Sequence, residues 1–137
     1  DVFVAGAGSS GTYMGVARFL KEKNPNVRCV IVEPQGSIIG GGESGPHKTE
    51  GIGMEFFPPF FDHDLVDKVY TVDDVNSFAM VNKLAEQEGL LVGSSAGAAC
   101  YAAIQEEKLA AKNANIVVLF ADGSDRYLSK KIFQGGE

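Results

Sequence analysis

The segment at residues 2–33, VFVAGAGSSGTYMGVARFLKEKNPNVRCVIVE, constrains the fold more than any other part of the 137-residue chain. Four apolar residues lead into a glycine-rich turn, Gly6-Ala7-Gly8-Ser9-Ser10-Gly11-Thr12. Apolar residues at helical spacing run from Thr12 to about Lys23, with Met14, Val16, Ala17, Phe19 and Leu20 on one face and Thr12 as the expected N-cap. Lys21 and Lys23 suit the carbonyl end of that helix, and Asn24-Pro25-Asn26 stops it. Residues 27–32 are then nearly all apolar, as a parallel strand covered on both faces requires. The order is strand, turn, helix, parallel strand. At the turn, helix N–H groups without intrahelical partners are reached through residues with little or no side chain, which makes a site for a phosphate group. The same letters satisfy G-x-G-x-x-G, and Glu33 arrives 22 residues after Gly11, so a dinucleotide with its ribose on Glu33 is one candidate ligand.

The rest of the chain alternates strand and helix patterns. Residues 35–49 form a glycine-rich loop containing Gly40-Gly41-Gly42, of the kind that is functional or mobile in a compact domain. Glu50-Gly51-Ile52-Gly53 follows, then the run Phe56-Phe57-Pro58-Pro59-Phe60-Phe61, whose phenylalanines read as core and domain-contact surface. Residues 68–72 are a third strand. Asp73 or Asp74 caps a helix running to Glu88, with Val75, Phe78, Ala79, Val81, Leu84 and Ala85 inward and Gly89 as its stop. Residues 90–92 read as a short strand, 96–111 as a small-residue helix opened by Gly93-Ser94-Ser95-Ala96-Gly97, and 116–121 as a strand. Asp122-Gly123-Ser124-Asp125 and a last helical turn after Tyr127 complete the pattern. It predicts a three-layer α/β domain, a largely parallel sheet with helices on both faces. Ligands of such sheets bind outside the carboxyl ends of the strands. The turns at 6–12, 93–97 and 122–126 should therefore converge on one site.

Composition narrows the partners. A net charge of −6 with no basic stripe argues against nucleic acid. The longest mostly apolar region, 90–104, is broken by Gly93, Ser94, Ser95 and Gly97 and is too short and too polar to span a membrane. Cys29 and Cys100 form no CxxC unit and read as small buried hydrophobes in a reducing compartment, so the expected location is cytoplasmic. No metal site is indicated: His63, in Asp62-His63-Asp64, lacks helical i, i+4 spacing and reads as a solvated turn or cap. His47 reads as a hydrogen-bonded loop residue. The chain enters a buried-looking strand directly after Asp1, and on that ground is expected to be a fragment or a processed half of something longer.

Five motifs then stand in a fixed order: Gly8-Ser9-Ser10-Gly11-Thr12; Glu33-Pro34 with Ser37; Gly45-Pro46-His47-Lys48-Thr49-Glu50-Gly51-Ile52-Gly53; Glu88-Gly89 with Gly93-Ser94-Ser95-Ala96-Gly97; and Asp122 to Phe133. Together they cover nearly the whole chain. In that order they resemble the motifs of the cysteine synthase and cystathionine β-synthase family, fold-type-II enzymes that use pyridoxal 5'-phosphate. The resemblance implies a tryptophan-synthase-β-like fold in which residues 1–137 are the C-terminal cofactor-binding portion. It implies that Gly8, Ser9, Ser10, Gly11 and Thr12 hold the cofactor phosphate and that Ser95 hydrogen-bonds its pyridine nitrogen. A neutral hydroxyl at that nitrogen does not hold it protonated. Glu50 and Gly51 would line the substrate entrance, with His47 and Lys48 on the loop leading to it. The family's Schiff-base lysine and substrate-carboxylate loop precede the phosphate loop, so no catalytic residue is expected in this chain and the missing N-terminal half is an expected partner. Three positions depart from the family pattern: Ser10 replaces a glycine, Ala121 replaces a proline, and Gly123-Ser124 reverses Ser-Gly. If position 10 needs a positive φ, serine there costs about 1–2 kcal/mol; if not, its hydroxyl is an additional phosphate donor.

The function so implied is β-replacement on O-acetylserine or serine by a thiol, giving cystathionine from homocysteine or cysteine from sulfide, in a homodimer acting on small amino-acid substrates. Cysteine synthases tend to carry Gln before Gly-Ile-Gly and cystathionine β-synthases Glu, so Glu50 leans toward homocysteine. Met54, where animal cystathionine synthases have tyrosine, keeps sulfide in play. Two other readings stay open on the residues. One is a Rossmann-type NAD(P)-binding oxidoreductase domain, resting on residues 6–11 and Glu33; the other is a non-catalytic small-molecule-binding domain.

Overall fold

The chain folds as β1 (Val2–Gly6), α1 (Gly11–Lys23), β2 (Arg28–Pro34), β3 (Lys68–Val72), α2 (Asp74–Glu88), α3 (Ser94–Glu107) and β4 (Ile116–Val118). The computed structural model describes residues 1–136. The strands form one sheet in the order β3-β2-β1-β4, and every pairing is parallel. Successive side chains of a strand point to opposite faces, and the core divides accordingly. Val2, Val4, Val30, Val32 and Val72 pack against Ala98, Ala99, Ala102 and Ala103 of α3. On the other face Phe3, Ala5, Cys29 and Ile31 pack with Tyr13, Met14 and Ala17 of α1. The alanine surface of α3 lets the helix lie close to the sheet, and α2 closes over its far side through Phe78, Met80, Val81 and Leu84. Helices therefore cover both faces, as the alternating pattern predicts. Among the described residues no helix is long and apolar enough to cross a membrane.

Several element boundaries differ from the sequence reading. Residues 90–92 are not a strand of the sheet. They make an isolated antiparallel bridge, Val92 with Gly123, which ties the approach to α3 to the loop after β4. The helix predicted over 96–111 begins earlier and ends earlier, with Gly93 at its N-cap. β4 ends at Val118 because it pairs with β1 only over Val2–Val4, and the Leu119 N–H to the Val4 carbonyl, at 3.0 Å, follows it. The inward face of α2 is Ser77, Phe78, Met80, Val81 and Leu84; Val75 is 79% exposed and Ala79 also faces out. Ser77 can lie inside because its hydroxyl donates to the Asp73 carbonyl at 2.9 Å, a local satisfaction that hydropathy does not reveal. Asp73 caps α2, accepting from Asn76 N at 2.7 Å, and Gly89 ends it in the left-handed conformation.

β4 is an edge strand. Ile116 and Val118 join the α3-side core, while Val117 and Leu119 are exposed.

Two polar clusters join elements far apart in sequence. Asp67 Oδ2 accepts from Cys29 N and from Lys21 Nζ, each at 2.7 Å. Glu106 of α3 is 1% exposed and accepts from Arg28 Nε at 2.6 Å, Arg28 Nη2 at 3.2 Å and the Tyr70 hydroxyl at 2.8 Å. Burial alone would push the Glu106 carboxyl up, but the hydrogen bonds from Arg28 and Tyr70 and the Arg28 charge outweigh it and hold the carboxyl below its ordinary value. Such a group supports the fold above its unfolded pKa, about 4.3 for glutamate. That support is lost as pH falls through the lower folded value. Urea unfolding of the intact protein should therefore be level from neutral pH to about 5 and weaken below about 4. Glu106→Gln keeps the shape and removes the charge; at pH 7 it should lower stability by about 1.5–3 kcal/mol and flatten the acid limb. An acid limb as steep in the variant as in the parent would remove Glu106 from this account.

Candidate functional site

The turns at the strand ends meet. Gly8, Ser9, Ser10, Gly11 and Thr12 line a cavity of about 190 Å³ together with Gly51, Ser95 and, from the loop after β4, Asp122. α1 and α3 both begin here, so two helix N-termini turn their positive ends toward one space, which favours an anionic ligand.

The first turn is strained where it matters. Ser10 occupies the N-cap position of α1 with φ 66° and ψ 2°, and the Met14 N–H to the Ser10 carbonyl, at 2.9 Å, starts the helix. Thr12 lies inside the helix and is exposed; the N-cap belongs to Ser10. Position 10 therefore needs the left-handed conformation, which costs a non-glycine residue about 1–2 kcal/mol. The serine makes no side-chain cap, and its hydroxyl, on a residue 3% exposed, has no hydrogen-bond partner. A buried polar atom left unpaired in a strained residue is destabilising twice over. A ligand with acceptor oxygens at the start of α1 would satisfy it.

The long loop is tied to this turn. A Cβ on Gly8 would lie 2.7 Å from the Gly51 carbonyl oxygen, so only glycine allows the two segments this close. Gly53 N donates to the Ala7 carbonyl at 2.8 Å just beside it. Three buried or half-buried side chains hold the loop in place. Glu33, fully buried, accepts from Ile39 N at 2.8 Å, Gly40 N at 2.9 Å and Thr71 Oγ1 at 2.7 Å. Its carboxylate is thus engaged in loop structure, and the ribose role of a dinucleotide acid has no group to perform it. Asp74 accepts from Lys48 N at 2.9 Å and from Thr49 N and Thr49 Oγ1 at 3.0 Å each. Ser94 Oγ accepts from Glu50 N at 3.1 Å.

Glu50 itself does not line the 190 Å³ cavity. Its exposed carboxylate stands 3.8 Å from Lys130 Nζ, in a small adjoining recess with Ser94 and Tyr127. His47 lies in a larger neighbouring cavity of about 550 Å³ that shares Gly8 and Ser9, and its Nδ1 donates to the Thr49 carbonyl at 2.8 Å. His63 sits in a short 3-10 turn, His63–Leu65, capped by Asp62, with its ring edge against Phe57 and Phe61. Among the described residues, no lysine lines the 190 Å³ cavity or the 550 Å³ cavity beside it.

Two features of the site escape sequence reading. Asp74 looks like an ordinary first-turn acid of α2, and nothing in the pattern shows that it clamps residues 48 and 49. Asp122 opens a motif and a converging turn in the sequence, but its contacts do not show there: in the structure its Oδ2 accepts from the Tyr127 hydroxyl, and its Oδ1 is buried without a partner. The hydrogen bond to Asp122, followed by burial, pushes the Tyr127 hydroxyl up to about 12, so it stays a donor at neutral pH.

Residues 1–122 match the family model described as pyridoxal-phosphate dependent enzyme. The chain is 61% identical over 134 residues to the O-acetylserine dependent cystathionine beta-synthase of Bacillus subtilis, covering 98% of this chain and 44% of that one. It is 51% identical over 131 residues to a cysteine synthase of Helicobacter pylori, covering 96% of this chain and 43% of that one. The crystal structure of an O-acetylserine dependent cystathionine beta-synthase from Helicobacter pylori matches with a TM-score of 0.92 at 51% identity, over 96% of this chain and 43% of that one. The chain thus spans less than half the length of these relatives.

Ser10→Gly removes both the left-handed penalty and the buried hydroxyl. Urea unfolding of the ligand-free protein should show a gain of about 1–2 kcal/mol, while the stabilisation conferred by added inorganic phosphate shrinks. Ser10→Ala should lose the phosphate effect equally without the full gain. No gain in Ser10→Gly would mean that the turn does not hold serine under strain.

Proposed function

The chain belongs to the pyridoxal-phosphate dependent enzyme family, and on that premise we propose that its clustered turns form the cofactor-binding portion of a β-replacement enzyme acting on O-acetylserine or serine. One observation carries the reading: the orphaned Ser10 hydroxyl lies at the uncapped start of α1, in the same cavity as Ser95. The donor set fits pyridoxal 5'-phosphate. Helix N–H groups at Gly11 and Thr12, with the hydroxyls of Ser9, Ser10 and Thr12, suit a phosphate dianion. Gly8 leaves room for it, and Ser95 offers a hydroxyl to the pyridine nitrogen.

When bound, the cofactor supplies an electron sink for removing a leaving group from the β-carbon of an amino-acid substrate. The chain's own residues supply binding and orientation. The phosphate turn fixes one end of the ligand and Ser95 the other. Glu33 and Asp74 hold residues 39–40 and 48–49, and through them the Gly51 turn at the cavity wall. The Schiff-base lysine belongs, in this reading, to a part of the protein outside these residues, and the working form is a cytoplasmic homodimer. The thiol acceptor is homocysteine or sulfide. Relatives of both names support this pair, and Glu50 favours homocysteine, whose amino group its carboxylate can meet.

The intact full-length protein is expected to carry visible absorbance that borohydride bleaches; a colourless protein that instead binds a nicotinamide dinucleotide would overturn the assignment. For the acceptor, steady-state kinetics of Glu50→Gln should show kcat/KM for homocysteine reduced about tenfold, the loss of one charged contact, with sulfide use preserved. An unchanged preference would remove Glu50 from acceptor selection.

A further inference from the structure

Glu50 is pinned by its backbone and free in its side chain. Its N–H donates to Ser94 Oγ at 3.1 Å, Asp74 clamps the two residues before it, and Gly51 after it forms part of the 190 Å³ cavity wall. The carboxylate itself stands outside that cavity, in the adjoining recess, 3.8 Å from Lys130 Nζ. Lys130 is delivered there by an anchored segment. It ends a 3-10 helix, Ser124–Lys130, whose Tyr127 hydroxyl is bonded to Asp122 at the cavity. Two residues further on, Ile132 is 2% exposed and packs in one apolar cluster with Phe78 and Leu84 of α2. The other lysine of the recess, Lys48, is turned to the Gly136 carbonyl, to which its Nζ donates at 3.3 Å. The cation facing Glu50 is therefore Lys130, and both side chains of the pair are exposed.

We propose that Lys130 is a specificity-determining residue that competes with the amino group of the thiol acceptor for the Glu50 carboxylate. The inference rests on the role given to Glu50 in the preceding section and deepens it. A carboxylate engaged by a resident ammonium is withdrawn from an incoming one. A site that is competent for only a fraction of the time binds its ligand more weakly by that fraction. Homocysteine brings an ammonium group and must displace Lys130 to reach Glu50. Sulfide brings none, and the pair takes nothing from it. Ion pairs between exposed side chains are weak, so the competition is mild. That suits a residue that sets a preference between two acceptors and excludes neither.

The test is steady-state kinetics of the intact full-length protein, loaded with pyridoxal 5'-phosphate, with homocysteine and with sulfide. Lys130→Met keeps the stem and removes the charge. It should raise the ratio of kcat/KM for homocysteine over sulfide about two- to fivefold, through a lower KM for homocysteine at unchanged kcat. Lys130→Arg keeps the charge and should retain the parent ratio. In a Glu50→Gln background Lys130→Met should leave the ratio where it was, because the carboxylate competed for is gone. A ratio that Lys130→Met leaves alone or lowers, an equal rise in Lys130→Arg, or an equal rise in the Glu50→Gln background overturns the proposal. The role of Glu50 then stands if Glu50→Gln by itself weakens homocysteine use. An unchanged preference in Glu50→Gln alone overturns that role and this inference with it, and a protein that takes up no pyridoxal 5'-phosphate overturns the cofactor assignment as well.

Discussion

β1 is bonded on both sides, to β2 over five residue pairs and to β4 over three, and each of its faces is covered by a helix. Because all these pairings are parallel, the strands deliver their carboxyl ends to one rim. The chain must then cross back over a face to start the next strand, which is why each strand end is followed by a turn and each of α1 and α3 starts near that rim. Burial of β1 from four directions fixes where the residue after Gly6 emerges. The phosphate turn has little freedom to sit elsewhere.

The energetic character of the molecule changes at that rim. Behind it, valines face alanines and polar groups are paired, as with Glu106 against Arg28 and Tyr70. At the rim itself a serine sits in the left-handed region, two buried oxygens lack partners, and two backbones approach through the missing side chain of Gly8. Local strain of this kind persists only where the surrounding fold imposes it. The interior satisfies its own requirements, and the rim leaves its requirements open to a ligand.

Much of this was legible in the sequence because it rests on local patterns. The β-branched runs became β1, β2 and β3, the 3.6-residue periodicity and Pro25 bounded α1, and Asp73 and Gly89 bounded α2 where caps predict. The convergence of three turns followed from strand parallelism alone. What remained hidden depends on contacts across long sequence separations. Val75 faces out because the far side of α3, at Ala96 and Gly97, packs against the stripe of α2 that includes Ser77 and Val81. The short extent of β4 reflects how far β1 continues beside it. Glu33 matched a ribose-binding acid by spacing, and only the arrival of Ile39, Gly40 and Thr71 at its oxygens shows it to be a structural anchor. Asp122 opened one of the five motifs, but only the fold shows that one of its oxygens is buried without a partner.

The short edge strand carries a further consequence. β4 has no strand on its outer side among the described residues, and Val117 there is 62% exposed. A row of unpaired backbone groups beside a β-branched side chain is a template for another polypeptide. The sheet is therefore able to recruit a strand at this edge, from the remainder of its own protein or from a neighbouring molecule. Whatever normally covers the edge also acts as a guard against self-association, and forms of the protein that leave it bare will be prone, as concentration rises, to add chains edge to edge.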